Sequence, residues 1–189
     1  GAAAIAGMIP ILWTYFLEDY QRNRILAPYD PSIDPTNQGI NWQPHQAKIA
    51  IASGGLTGTG LGEGTQSQSN AIPGKHTDFI FAVVGEELGL IGACLVILLL
   101  MIIVIRCVQI GLRSGNTMSM LVCFGVASTV VFQTFENIGM CIGIAPVVGI
   151  TLPFFSYGGS SLFSMFAAMG LVSGIKYRPK PTRAAIYGR

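Results

Sequence analysis

From Leu88 to Ile105 the chain runs eighteen residues without a charge. That is long enough to cross the roughly 30 Å hydrocarbon layer of a bilayer as one helix. A backbone in lipid must satisfy its own amides and carbonyls, so such a segment permits few architectures besides a helix bundle. Composition agrees, with 51% hydrophobic and 11% charged residues and a mean hydropathy of +0.56. A soluble core is the poorer reading. Residues 118–143 and 154–175 have the same character, and the apolar opening 1–17 ends in Trp13, Tyr15 and Phe16, as an interfacial aromatic belt would. That opening lacks an initiator Met and a basic leading region, so it reads as a truncated membrane helix of a larger protein rather than a signal peptide.

The expected fold is all-α and polytopic, with about four transmembrane helices. Spans are expected at 1–17, 78–105, 118–143 and 154–175. Between them lie a long outer loop at 18–77, an inner loop at 106–117 and a short outer or re-entrant loop at 144–153, with a tail at 176–189. Charge sets the sidedness. Arg106 and Arg113 fall in the inner loop, and Lys176, Arg178, Lys180, Arg183 and Arg189 in the tail, with no acid in either. Loop 18–77 mixes four bases with five acids, and 137–159 is uncharged. The excess of bases places the tail in the cytoplasm and the long loop outside. The net charge of +2 follows from that membrane bias and carries no nucleic-acid signal. Cys94, Cys107, Cys123 and Cys141 lie in or beside the spans without paired spacing, and read as small buried hydrophobes.

The outer loop is too long for a passive connection. Ala27–Asn37 reads as successive turns, and Gln43–Ser53 as a short helix entered through Pro44 and stopped by Gly54-Gly55. That helix displays Ile49 and Ile51, which leaves an in-plane interfacial placement open. Gly54–Gly64 lacks the register of a dinucleotide loop, and Gly74-Lys75-His76 lacks that of a phosphate loop. The glycines suit either a close backbone approach to an anion or a flexible strap. His45 and His76 have no metal-ligand spacing, and no protein metal site is expected.

Asp78 stands where the polar loop turns into the apolar helix. A carboxylate at a water–lipid boundary is a functional candidate by default. Capping the following helix is the simpler job for Thr77 or Asp78. Glu86 and Glu87 lie about 12 to 13 Å further along if one helix continues, and cannot both face lipid cheaply. Gln133, Glu136 and Asn137 cluster near the outer end of the next span, where interhelical hydrogen bonding is the simplest role. Pro146–Pro153 followed by Ser156–Ser161 reads as a broken element lining a pocket.

Four blocks carry a resemblance. They are Lys48-Ile-Ala-Ile-Ala-Ser-Gly-Gly55, Gly64-Thr-Gln-Ser-Gln68, His76–Gly89 and Leu152-Pro-Phe-Phe-Ser-Tyr-Gly-Gly-Ser-Ser161. In this order and spacing they resemble the shape, elongation, division and sporulation (SEDS) family, whose members include RodA, FtsW and SpoVE. Asn137–Met140 and Pro146–Ile150 look more like RodA than FtsW. The resemblance implies the last four helices of a ten-helix peptidoglycan glycosyltransferase. Such enzymes polymerise lipid II into glycan strands at the outer face of the bacterial cytoplasmic membrane, in cell elongation, shape or division, beside a class B penicillin-binding protein. This portion alone is expected to be inactive.

By resemblance Asp78 is the catalytic residue, and Lys48, Gln66, Lys75, His76 and Ser160 contact substrate. Glu86, Glu136, Pro153, Tyr157, Gly158 and Gly159 shape the cavity. A nearby carboxylate can accept the proton of an attacking sugar hydroxyl. The departing pyrophosphate needs positive charge, from Lys48 first, with Lys75 and the Arg22/Arg24 pair behind it, or from a divalent cation such as Mg²⁺ or Mn²⁺ held mainly by the pyrophosphate. The partners implied are lipid II, the growing glycan, the transpeptidase and membrane lipid, with no nucleic acid. A flippase for the lipid-linked precursor and a scaffold for the transpeptidase are the rival classes.

Overall fold

The computed structural model describes residues 12–69 and 74–177. The first eleven residues of the expected opening span, and tail residues 178–189, lie outside the described residues. Seven α-helices follow a short wide helical turn at Leu12–Phe16. They are α1 (Asp19–Leu26), α2 (Trp42–Gly54), α3 (Thr65–Gln68), α4 (Ile80–Glu87), α5 (Gly89–Arg113), α6 (Thr117–Ile142) and α7 (Gly159–Tyr177). The described residues contain no strand.

Helices α5 and α6 are 25 and 26 residues long, with mean hydropathies of 3.0 and 1.7 over their most apolar stretches. Both are long and apolar enough to cross a bilayer. Only 28% and 22% of those stretches are buried, so side chains such as Ile91, Leu98, Ile102, Phe132 and Phe135 face outward. A soluble core helix would hide them. The pair runs antiparallel through the turn Ser114–Asn116, where the Asn116 side chain accepts from Met118 N at 3.0 Å and caps α6. Where the helices meet, small residues set the spacing: Gly111 of α5 lies against Cys123 of α6. Cys107, Cys123 and Cys141 are buried as expected, but Cys94 is exposed on the apolar face of α5.

The expected span 78–105 differs in two ways. It continues helically past Arg106 to Arg113, because no breaker intervenes before Ser114-Gly115; charge marks a membrane boundary, not a helix end. It is also interrupted. Gly89 adopts φ +66, which separates α4 from α5 and frees two pairs of backbone groups. The glycine-rich loop takes them up on both sides. Leu90 N and Ile91 N donate to Gly55 O and Leu56 O, while Thr59 N and Gly60 N donate to Glu86 O and Glu87 O. Loop 54–64 is therefore neither a free strap nor an open anion cradle; it splices the broken helix. The turn at 74–79, which delays the helix to Ile80, voids the expected spacing of Asp78 and Glu86 along one continuous helix.

One face of helix α2 packs against α4. Ala47 and Ala50 are fully buried, and Gly54 lets the Gly85 and Glu86 carbonyls of α4 approach where any Cβ would collide. After α6, residues 143–158 are non-helical, and α7 begins at Gly159 rather than near Phe154. The cause is a tight turn at Leu152–Ser156 in which Phe154 takes φ +66. The outer loop, Asp78 and segment 143–158 thus gather at one end of the bundle. Arg113 and Lys176 lie toward the other, at the far ends of α5 and α7.

Candidate functional site

Three consecutive carbonyls fix the backbone before α4. His76 O accepts from Tyr157 N at 2.8 Å, Thr77 O from Ser156 Oγ at 2.6 Å, and Asp78 O from Asn137 Nδ2 at 2.8 Å. Asn137 also donates to Ile150 O at 2.7 Å, so one buried amide ties α6 to both the Asp78 turn and the segment following Gly149. Ser156 Oγ in turn accepts from Leu152 N at 2.7 Å.

The Asp78 side chain is treated differently. It is half-buried and has no hydrogen-bond partner among the described residues. It does not cap α4, whose first turn carries no side-chain cap. Thr77 Oγ1 is likewise turned back, donating to Gly74 O at 3.2 Å. The expected capping role is thus overturned, because the chain makes a turn at 74–79 and the helix starts two residues later. A Cβ built on Gly149 would stand 3.3 Å from Asp78 Oδ2, so the carboxylate faces bare backbone there. Gly149 also borders a cavity of about 360 Å³ lined by Gln133, Thr151, Ser160, Ser161 and Ser164. Thr151 and Ser161 share a 2.9 Å hydroxyl contact, and Gln133 Oε1 is buried without a partner. A free carboxylate on a fixed backbone, beside a hydroxyl-rich hollow, suits proton transfer from a sugar.

The other expected contacts divide into three groups. Gln66, Lys75 and Glu86 meet, but in a clamp. Glu86 is fully buried, and its carboxylate accepts from Gln66 N at 2.8 Å and Ser67 N at 2.7 Å, capping α3. Lys75 Nζ donates to Ser67 O at 2.6 Å and Ser69 O at 3.2 Å, which spends its ammonium on the loop. His76, Tyr157 and Ser160 lie near the Asp78 turn; His76 is exposed, and the Tyr157 ring is 80% exposed. Pro153 is buried in the turn beneath them, and Gly158 and Gly159 lead into α7. Glu136 is half-buried on α6, one position before Asn137.

Lys48 forms the third group. Its ammonium lies against Gly143, at the C-terminal end of α6, where a Cβ would displace it. It makes no hydrogen bond among the described residues. Lys48 and Asp78 therefore flank opposite ends of one short segment, Gly143–Gly149. Tyr29 Oη holds that segment from the outer loop by donating to Ile144 O at 2.7 Å. The roles of Tyr29, Gly149 and Ser156 were missed from sequence, since each depends on a partner more than seventy residues away. Among the described residues no three His, Cys, Asp or Glu side chains converge as a metal cage.

A family model described as cell cycle protein, covering FtsW, RodA and SpoVE, matches residues 1–180. The chain belongs to this family. Among relatives, the peptidoglycan glycosyltransferase MrdB of Escherichia coli K12 is 44% identical over 171 residues, covering 90% of this chain and 46% of that protein. The probable peptidoglycan glycosyltransferase FtsW of Geobacter metallireducens is 41% identical over 183 residues, covering 94% and 48%. A solved chain from work on the structural coordination of polymerization and crosslinking by a peptidoglycan synthase complex superposes with a TM-score of 0.68 at 30% identity, covering 94% of this chain and 49% of that one. The chain thus spans about half the length of the relatives it matches. Its FtsW/RodA/SpoVE membership and its long exposed apolar helices make it a membrane protein.

Proposed function

We propose that the full-length protein containing this chain is a peptidoglycan glycosyltransferase that polymerises lipid II at the outer face of the bacterial cytoplasmic membrane. Asp78 is the general base. The observation that carries this reading is its half-buried carboxylate, left without a hydrogen bond among the described residues while the backbone on which it stands is held at three successive carbonyls. Such a group is positioned but unoccupied by any structural task.

The acceptor hydroxyl attacks the anomeric carbon of the lipid-linked donor. A carbon–oxygen bond forms to the acceptor, the bond to the diphosphate oxygen breaks, and its electron pair leaves with the polyprenyl diphosphate. The hydroxyl proton passes to Asp78. A free carboxylate is a weak base toward a hydroxyl, so placement supplies most of the advantage. Sugar hydroxyls lie in the hollow lined by Gln133, Thr151 and Ser160. Lys48 holds diphosphate oxygens from the other end of segment 143–149. A divalent cation, where one takes part, is held mainly by the diphosphate, since the described residues form no cage for it.

Relatives named peptidoglycan glycosyltransferases support this chemistry, and the likeness to a chain of a polymerising and crosslinking complex supports a class B penicillin-binding protein as partner. The outer loop faces away from the cytoplasm and the C-terminus lies within it. The test is lipid II polymerisation by the full-length protein carrying Asp78→Asn, which keeps size and loses the base. Removing a general base lowers turnover on the order of 10²-fold or more. Glycan strands formed at the wild-type rate would exclude Asp78 from the reaction.

A further inference from the structure

Outside the Asp78 turn, the outer loop folds into a groove with two chemically different lobes. One is a cavity of about 250 Å³ into which Arg24, His45 and Lys48 all project. The second, of about 260 Å³, is lined by Tyr20, Trp42, Gln38 and Gln43. Arg24, Ile40 and Val147 border both, so the two are one continuous depression.

The first lobe presents three basic side chains, two asparagine amides and no acid in its wall. Neither His45 nor Lys48 has a side-chain partner among the described residues. Asp34 of the loop is already engaged: it is buried and accepts from Gly39 N at 2.9 Å and Asn41 N at 3.0 Å. Arg24 lies over the Tyr20 ring, 5.6 Å from its centroid, and makes no ion pair among the described residues. Basic side chains gathered in a concavity without an acid partner are attractive sites for an anion with several oxygens. The second lobe pairs aromatic faces with primary amides, which is the chemistry that recognises a sugar ring and its hydroxyls. The groove is also prebuilt. Asp34 fixes its rim, Asn41 Nδ2 donates to Ala27 O at 3.2 Å, and Tyr29 ties the loop to Ile144 O.

We infer that this groove is a binding subsite for a glycosyl diphosphate, with the diphosphate at Arg24, His45 and Lys48 and the attached sugar against Trp42, while Tyr20 backs the Arg24 guanidinium. This rests on the glycosyltransferase reading and extends it, since it makes the outer loop a seat for the donor rather than a cover over Asp78. An anionic phospholipid headgroup shares the phosphate chemistry but has no use for the aromatic lobe.

The experiment measures initial polymerisation rates against lipid II concentration, with the full-length protein in vesicles of phosphatidylcholine alone and with added phosphatidylglycerol. The double variant Arg24→Ala/Lys48→Ala and the single variant Trp42→Ala are each expected to raise KM about tenfold, the loss of one good charge-assisted or stacking contact. In Trp42→Ala kcat stays within about twofold, whereas in the double variant it also falls, because charge beside the departing diphosphate is lost. The Lys48→Arg and Trp42→Phe variants, which keep the charge or the ring, are expected to restore KM and so exclude misfolding. Asp78→Asn runs alongside and separates the two readings. If it polymerises normally the glycosyltransferase mechanism fails; if it is inactive while the groove variants keep wild-type KM, only the subsite fails. A KM effect of the double variant confined to vesicles with phosphatidylglycerol, with Trp42→Ala silent, assigns the groove to a phospholipid headgroup and overturns the proposal.

Discussion

At the scale of single residues, the site depends more on donors than on charges. Asn137 is fully buried, and its one amide nitrogen serves two carbonyls, Asp78 O and Ile150 O. No other donor at the site bridges α6 to both strands of chain that flank the carboxylate. Leaving a buried acceptor unsatisfied costs about 1–3 kcal/mol. Asn137→Ala is expected to lower kcat for polymerisation about tenfold or more with KM little changed, because Asp78 remains but is no longer held. Asn137→Asp keeps the shape and removes the donors, so it is expected to behave like Ala. Unchanged kcat in both variants would mean that the Ser156 and Tyr157 contacts suffice. Sequence could show that Asn137 was polar and intramembrane, and interhelical bonding was a sound expectation. What it could not show is that its partners are backbone atoms of residues 78 and 150.

At the scale of elements, the break between α4 and α5 is the feature that most separates reading from structure. Hydropathy finds apolar stretches, and it found α5 and α6 because their composition is extreme. It is blind to a glycine at φ +66 whose freed carbonyls and amides are taken up by a loop thirty residues earlier. Gly89→Ala is therefore expected to destabilise the fold by more than about 1 kcal/mol, since the added methyl meets Gly58 N and Leu56 O in a strained conformation. Gly125→Ala in α6 meets nothing within 4 Å and is expected to be neutral or stabilising by up to about 1 kcal/mol. Thermal melting of the two variants in one detergent decides this; equal shifts would refute the splice. The loop rim has its own signature. Asp34 titrates below the ordinary value of 3.8, chiefly through the Asn41 amide, with Gly39 adding to it. A depressed carboxylate stabilises the folded loop above its unfolded pKa, and that contribution disappears as pH falls through the lower folded value. Limited proteolysis within residues 28–40 is expected to accelerate only below about pH 4. In Asp34→Asn that acid step is expected to shrink to the part owed to Asp30, whose carboxyl Ser32 also lowers; an undiminished step would assign it elsewhere.

For the molecule as a whole, function follows from an asymmetry between its ends. Asp78, the Lys48 groove and the hydroxyl-lined hollow all lie where α4, α6 and segment 143–158 meet, while Arg113 and Lys176 terminate α5 and α7 at the opposite end. On the proposed reading, a substrate with a polyprenyl tail and a polar head fits that arrangement: its head reaches Asp78 while its tail stays beside apolar faces such as that of α5. On the same reading, the basic helix ends keep the opposite end in the cytoplasm. This assignment can be read directly in cells. With the exposed Cys94 replaced by Ser, single cysteines are placed at exposed Glu63 in the outer loop and exposed Thr117 at the start of α6. A membrane-impermeant maleimide is expected to label Glu63→Cys from outside and Thr117→Cys only after permeabilisation. The reversed pattern would put Asp78 on the cytoplasmic side, away from any extracellular glycan. It would defeat the polymerase reading without disturbing a single contact in the fold, because the packing fixes which groups share an end and only the charge bias fixes which side that end faces.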